Sequence, residues 1–122
     1  ADRNTKLAEA EKMVRRALEI QPGDGYITDS LGWVFYRQGK LTEALQTLEE
    51  AVRLAPQDPQ IAAHLAELYE KTGHPERALS TYEQALTLLQ GQDPKDSVDG
   101  NEKLRKDIEA RIKELRKKLK RT

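Results

Sequence analysis

Apolar residues recur along this chain at spacings of three and four, so the elements they predict are helices. The pattern places helices over 5–20, 25–38, 41–54, 59–72 and 75–89, and nowhere alternates as a half-buried strand does. Gly39 closes the second helix, because a residue without a Cβ suits the left-handed end of a helix. Thr42 is the candidate cap of the third, and Pro56 stands just past its end. Thr72, Gly73, His74 and Pro75 break the fourth helix from the fifth. Pro59 and Pro75 fall in first turns, where the missing N–H costs nothing.

The pattern repeats. A shift of 34 residues lays Leu31 on Leu65, Phe35 on Tyr69, Gly39 on Gly73, Ala44 on Ala78, Leu45 on Leu79 and Ala51 on Ala85. The same shift backward from Ala44, Ala51, Leu54 and Pro56 lands on Ala10, Ala17, Ile20 and Pro22, so the sequence begins inside a third copy. The expected organisation is the second helix of an incomplete unit over 1–22, full helix-turn-helix units over 23–56 and 57–90, a polar linker over 91–100 and a basic amphipathic helix over 101–122. Gly32 with Ala44, and Ala66 with Ala78, let the two helices of a unit approach closely. Leu31, Phe35 and Leu48 then fill one hairpin, and Leu65, Tyr69 and Tyr82 the next. Each hairpin is too small to bury its apolar face alone, so stability requires neighbours to stack.

Leu31, Gly32, Phe35, Gly39, Ala44, Ala51 and Pro56, with their echoes one period later, resemble the tetratricopeptide repeat signature over roughly residues 5–90. The chain departs from that signature where Thr28 and Ala62 replace a frequent tryptophan, Ala66 a glycine and Gln90 the closing proline. The resemblance implies an all-α, right-handed α-solenoid. A narrower likeness, in Asp29 to Gly39 and Ala62 to Leu65, is to the terminal repeats of bacterial envelope tetratricopeptide lipoproteins. These act as adaptors. It implies the bacterial periplasm or outer membrane, with the cytoplasm as the alternative, and a membrane partner only through an N-terminal anchor.

Composition agrees with thin cores between solvent-bathed helices: charged residues reach 34% and aromatics only 5%. Lysine plus arginine, 21, equals aspartate plus glutamate, 21, so no global field draws the chain to nucleic acid or anionic lipid. Absent cysteine excludes disulfides and thiolate metal sites and leaves the compartment open. Charge is local instead. Leu104, Ile108, Ile112, Leu115 and Leu119 form one stripe of the last helix, suited to capping a solenoid, and Asp99 with Glu102 reads as its capping box. Arg111, Lys113, Arg116, Lys117, Lys118, Lys120 and Arg121 crowd its end against Glu114. Those charges complement the helix dipole, and no aromatic residue interleaves with them as a nucleic-acid surface would favour.

Catalytic chemistry finds no pattern. His64 and His74 lie in different contexts without a metal-binding spacing, the first read as a structural hydrogen-bonder and the second as a turn residue. Glu49, Glu50 and Glu83 are helix-surface carboxylates, and no glycine cluster precedes a lysine-serine pair. No cofactor or metal is implied. First helices line the concave side of such solenoids, and Tyr26, Asp29, Trp33, Tyr36 and Arg37 share a flank of theirs. These are types that dominate interface energetics. The following unit presents Gln60, Ala63, Glu67, Glu70 and Lys71. The function expected is non-catalytic binding of a protein or peptide segment by Tyr26, Asp29, Trp33, Tyr36, Arg37, Glu67, Glu70 and Lys71. Asp29 and Trp33 stand where a related subclass places the basic and amide groups that clamp a terminal carboxylate, so no such clamp is expected. The alternative is self-assembly through Leu7, Met13, Val14 and Leu18 on the unpaired first helix. Attachment to nucleic acid or membrane through the basic end is a third reading.

Overall fold

A computed structural model describes residues 2–91 and 99–120 of the chain, with side chains over 5–91 and 101–120. Six helices occur among these residues: α1 (Asp2–Ile20), α2 (Gly25–Arg37), α3 (Leu41–Leu54), α4 (Pro59–Lys71), α5 (Pro75–Gln90) and α6 (Asp99–Lys120). Their bounds follow the apolar period to within a few residues. Most of the expected linker falls outside the described residues, as does the Asp99 side chain on which the capping box rests. The chain divides into two compact units, Ala1–Pro56 and Gln57–Thr122.

In the first unit α2 and α3 form a hairpin, with α1 against α2. Asp24 starts α2 by accepting hydrogen bonds from the N–H groups of Tyr26 (2.9 Å) and Ile27 (3.1 Å), two donors the helix itself leaves unpaired. The hairpin closes through Gly39 at φ 81°. Lys40 N–H donates to Phe35 C=O at 2.9 Å and Gly39 N–H to Tyr36 C=O at 3.0 Å, the paired bonds of a Schellman turn. Lys40 also lays its ammonium 5.8 Å from the centre of the Phe35 ring, so one residue ends α2 chemically and sterically. Thr42 does not cap α3: the helix begins after Lys40, which makes no side-chain cap bond. Thr42 falls inside the first turn, one residue past the start of α3, and so is not at the cap position.

Leu48, Ala44 and Ala51 of α3 are fully buried, and Leu31 and Phe35 of α2 nearly so. The backbones meet at Gly32, where an added Cβ would lie 2.8 Å from Leu48 Cγ and 3.0 Å from Leu48 Cδ2. Only glycine lets Leu48 seat there. On the other side of α2, Glu11 of α1 accepts from Arg15 Nε at 2.7 Å and Gln38 Nε2 at 3.0 Å. The Arg15 bond, then the Gln38 bond, holds its carboxyl below the usual range. Arg15 stacks its guanidinium 5.6 Å from the Phe35 ring centre.

The second unit repeats the hairpin one period later. Asp58 caps α4 through Ile61 N–H at 3.0 Å, and Pro59 occupies its first turn. Gly73, at φ 84°, closes the turn while His74 N–H donates to Tyr69 C=O at 2.8 Å and Gly73 N–H to Glu70 C=O at 3.3 Å. His74 sets its ring edge-on to Tyr69, where Lys40 covers Phe35 in the first unit. Ala66, Leu68 and Ala78 are fully buried, and Leu65, Tyr69 and Tyr82 complete the filling.

Helix α6 packs on α5, burying Ile108, Ile112 and Leu115. Polar contacts fix its position. Tyr82 O–H donates to Glu70 at 3.3 Å, Arg111 reaches the other Glu70 oxygen at 3.4 Å, and Arg116 pairs with Glu83 at 2.8 Å. Burial, then the adjacent Glu70 carboxylate, pushes the Tyr82 phenol well above its ordinary value, with Arg111 opposing.

Gly32→Val should lower stability by about 2 kcal/mol through overpacking against Leu48, read as an earlier thermal melt by circular dichroism. An unchanged melt would mean that the helices do not meet there. A second outcome follows from Tyr82. Its folded pKa is raised, so its contribution is complete below the unfolded value of about 10 and is lost as pH rises beyond it, where the unfolded chain sheds its proton first. Denaturation midpoints should therefore fall in alkali, and Tyr82→Phe should flatten that fall; equal alkaline loss in both proteins would place its cause elsewhere.

Candidate functional site

The candidate residues of the first unit sit on α2, whose register is fixed by the Asp24 cap at one end and the Gly39 turn at the other. Tyr26 is 64% exposed and Arg37 is exposed at the last turn. Between them Trp33 and Tyr36 are half-buried, their rings edge to face with centres 5.5 Å apart at 86°. The two rings pack against each other and both stay partly exposed. Asp29, on the same stripe, is 8% exposed and belongs to the interior rather than to the surface. The stripe therefore offers aromatic area and one guanidinium, without an outward carboxylate at its centre.

In the second unit Glu67 and Lys71 are part-exposed and approach each other at 4.0 Å, a weak i,i+4 pair in water. Glu70 is committed elsewhere: both its oxygens are engaged, one by Tyr82 and one by Arg111. Gln60, Ala63, His64 and Glu67 of α4 form one wall of a cleft of about 400 Å³, with Leu104, Asp107 and Ile108 of α6 across from them. The stripe read from α4 thus faces the terminal helix of its own unit. The Gln60 amide lies 3.0 Å from His64 Nε2, one helical turn away, which gives that imidazole a structural hydrogen bond.

A second cleft, of about 650 Å³, opens between α5 and α6, with Leu86 and Ile112 at its base and lysines of α6 on its rim. Nothing in the sequence reading singled it out, because Leu86 and Ile112 meet only after α6 docks. Among the described residues no group of three or more histidine, cysteine or carboxylate side chains is placed to hold a metal ion. No described helix is long and apolar enough to cross a membrane. The described surface presents aromatic rings, charged groups and the clefts beside α6.

Family models of the tetratricopeptide repeat match residues 1–59 and 35–97, the latter more than half of the chain. A protein of Pseudomonas aeruginosa described as TPR repeat-containing is 46% identical over 39 residues, 32% of this chain and 7% of that protein's length. The Pseudomonas aeruginosa protein PcrH, solved in complex with the chaperone binding region of PopD, superposes with a TM-score of 0.77 at 20% identity, covering 94% of this chain and 82% of its own. The Yersinia enterocolitica type III secretion chaperone SycD, solved with a peptide of the translocator YopD, gives a TM-score of 0.77 at 18% identity over 98% of this chain and 85% of its own. At such identities the likeness is one of fold. With its hairpins in 34-residue register and the repeat matched across more than half of its length, this chain is an all-α helical solenoid and belongs to the tetratricopeptide repeat family.

Proposed function

We propose that the chain is a non-catalytic binding module for a protein or peptide segment, and that the α2 stripe of Tyr26, Trp33, Tyr36 and Arg37 makes the central contact. One observation carries the reading. The chain has four tyrosines, one tryptophan and one phenylalanine; Phe35, Tyr69 and Tyr82 are buried, and the remaining three all lie on α2. Full burial of an aromatic side chain contributes roughly 1.5–3 kcal/mol, so one exposed and two half-buried rings on a single helix mark a face suited to a partner. Glu67 and Lys71, part-exposed on the second unit, are candidate polar contacts of that unit. PcrH and SycD, alike in fold, are each seen holding a segment of another protein, and this supports the same class of partner.

A second reading, self-assembly through α1, is favoured by Met13 and Ile20, exposed at 73% and 72%, with Leu7, Val14 and Leu18 partly exposed beside them. In that case the molar mass from light scattering rises with concentration and Met13→Glu returns it to the monomer value. A mass independent of concentration removes this reading.

For the favoured reading, peptides selected by display against the intact chain should bind Trp33→Ala and Tyr36→Ala about tenfold more weakly, a loss typical of an interface aromatic. Melting should stay nearly unchanged. Unaltered affinity in both variants would move the contact off α2, and a collapsed melt would assign the rings to the interior.

A further inference from the structure

We propose that the cleft between α5 and α6 is a second binding site, separate from the α2 stripe, for an acidic peptide segment that inserts one bulky aliphatic side chain. The cavity, about 650 Å³, lies wholly within the second unit. Its base is apolar, made by the half-buried Leu86 of α5 and by Ile112 of α6. Its rim is basic: Lys113, Lys117 and Lys120 stand at i, i+4 and i+7, on one face of α6. Arg116 closes the α5 side by its 2.8 Å bond to Glu83.

The three lysines differ from the arginines beside them. Arg111 and Arg116 are each paired with a glutamate across the helix interface, whereas Lys113, Lys117 and Lys120 are exposed and make no ion pair among the described residues. The negative end of α6 accounts for Lys117 and Lys120 in its last turn. It does not account for Lys113, about two turns earlier, because the dipole's influence fades within one turn. The apolar base arises where α5 and α6 pack on each other, and Leu86 is left only half-buried there. Ammonium groups around an aliphatic floor match a segment whose carboxylates flank a leucine or isoleucine: the charges steer and orient, and the buried methyl groups hold.

The same observations favour a peptide over nucleic acid. Glu83 and Glu109 stand among the lining residues and would repel a continuous phosphate chain, whereas a peptide can place neutral residues opposite them. No aromatic ring lines the cleft for bases to stack on.

The test uses the intact chain and three labelled probes: a short peptide of glutamates and aspartates interspersed with neutral serines around one central leucine, the same peptide with serine in place of leucine, and a single-stranded DNA of equal charge. By fluorescence anisotropy the leucine peptide should bind, the serine peptide about fivefold more weakly, and the DNA more weakly still. Lys113→Glu combined with Lys117→Glu should weaken the leucine peptide at least tenfold, while Trp33→Ala leaves it unchanged, so that this site and the α2 stripe are judged apart. Lys113→Gln combined with Lys117→Gln decides the matter should the charge reversal disturb the melt. Absence of leucine-peptide binding, equal binding of the serine peptide, DNA binding as tightly, or indifference to the lysine variants would each overturn the proposal.

Discussion

The close approach of two backbones inside each hairpin is the constraint on which the other contacts depend. At Gly32 there is no space for a Cβ because Leu48 occupies it, and one period later Ala66 and Ala78 are fully buried where α4 and α5 meet. Dispersion forces fall off steeply with separation, so the buried leucines and aromatic rings stabilise the pair only while this spacing is kept. It also positions what lies outside. With its inner face fixed on Leu48, α2 has one rotational setting, and that setting presents Tyr26 and Arg37 outward and leaves Trp33 and Tyr36 half covered.

Much of this was legible in the sequence because it is local or periodic. The helix bounds, the glycine-closed turns and the core of Leu31, Phe35, Leu48, Leu65, Tyr69 and Tyr82 all follow from spacing and residue type. The aspartate caps carry an equally local signal: Asp24 and Asp58 are one period apart, each immediately before a helix. Residue type alone favours Thr42 as a cap, although α3 already begins at Leu41. The engagement of Glu70 depends on where α6 docks, which no helical period encodes. Asp29 shows a related difficulty. Stripe arithmetic assigns it an azimuth on the helix, and whether that azimuth meets solvent or protein is a property of the whole fold.

The two proposed surfaces differ in physical character. The α2 stripe is aromatic with a single guanidinium, so its contacts depend on shape and desolvation and should be little affected by salt. The proposed α5–α6 cleft combines a small apolar base with exposed ammonium groups, so its contacts should depend more strongly on ionic strength.

The closing turns carry a consequence for how the molecule reaches its native state. Each is built from neighbours: a glycine in the left-handed region, a hydrogen bond back to Phe35 or Tyr69, and a covering side chain, Lys40 or His74, over that ring. The covering residue differs while the geometry stays the same, so the register of a hairpin is decided within its own stretch of chain and without reference to distant segments. Folding can therefore start in either hairpin with little loop-closure entropy to overcome, and lengthening the array by another unit would leave the existing turns unchanged.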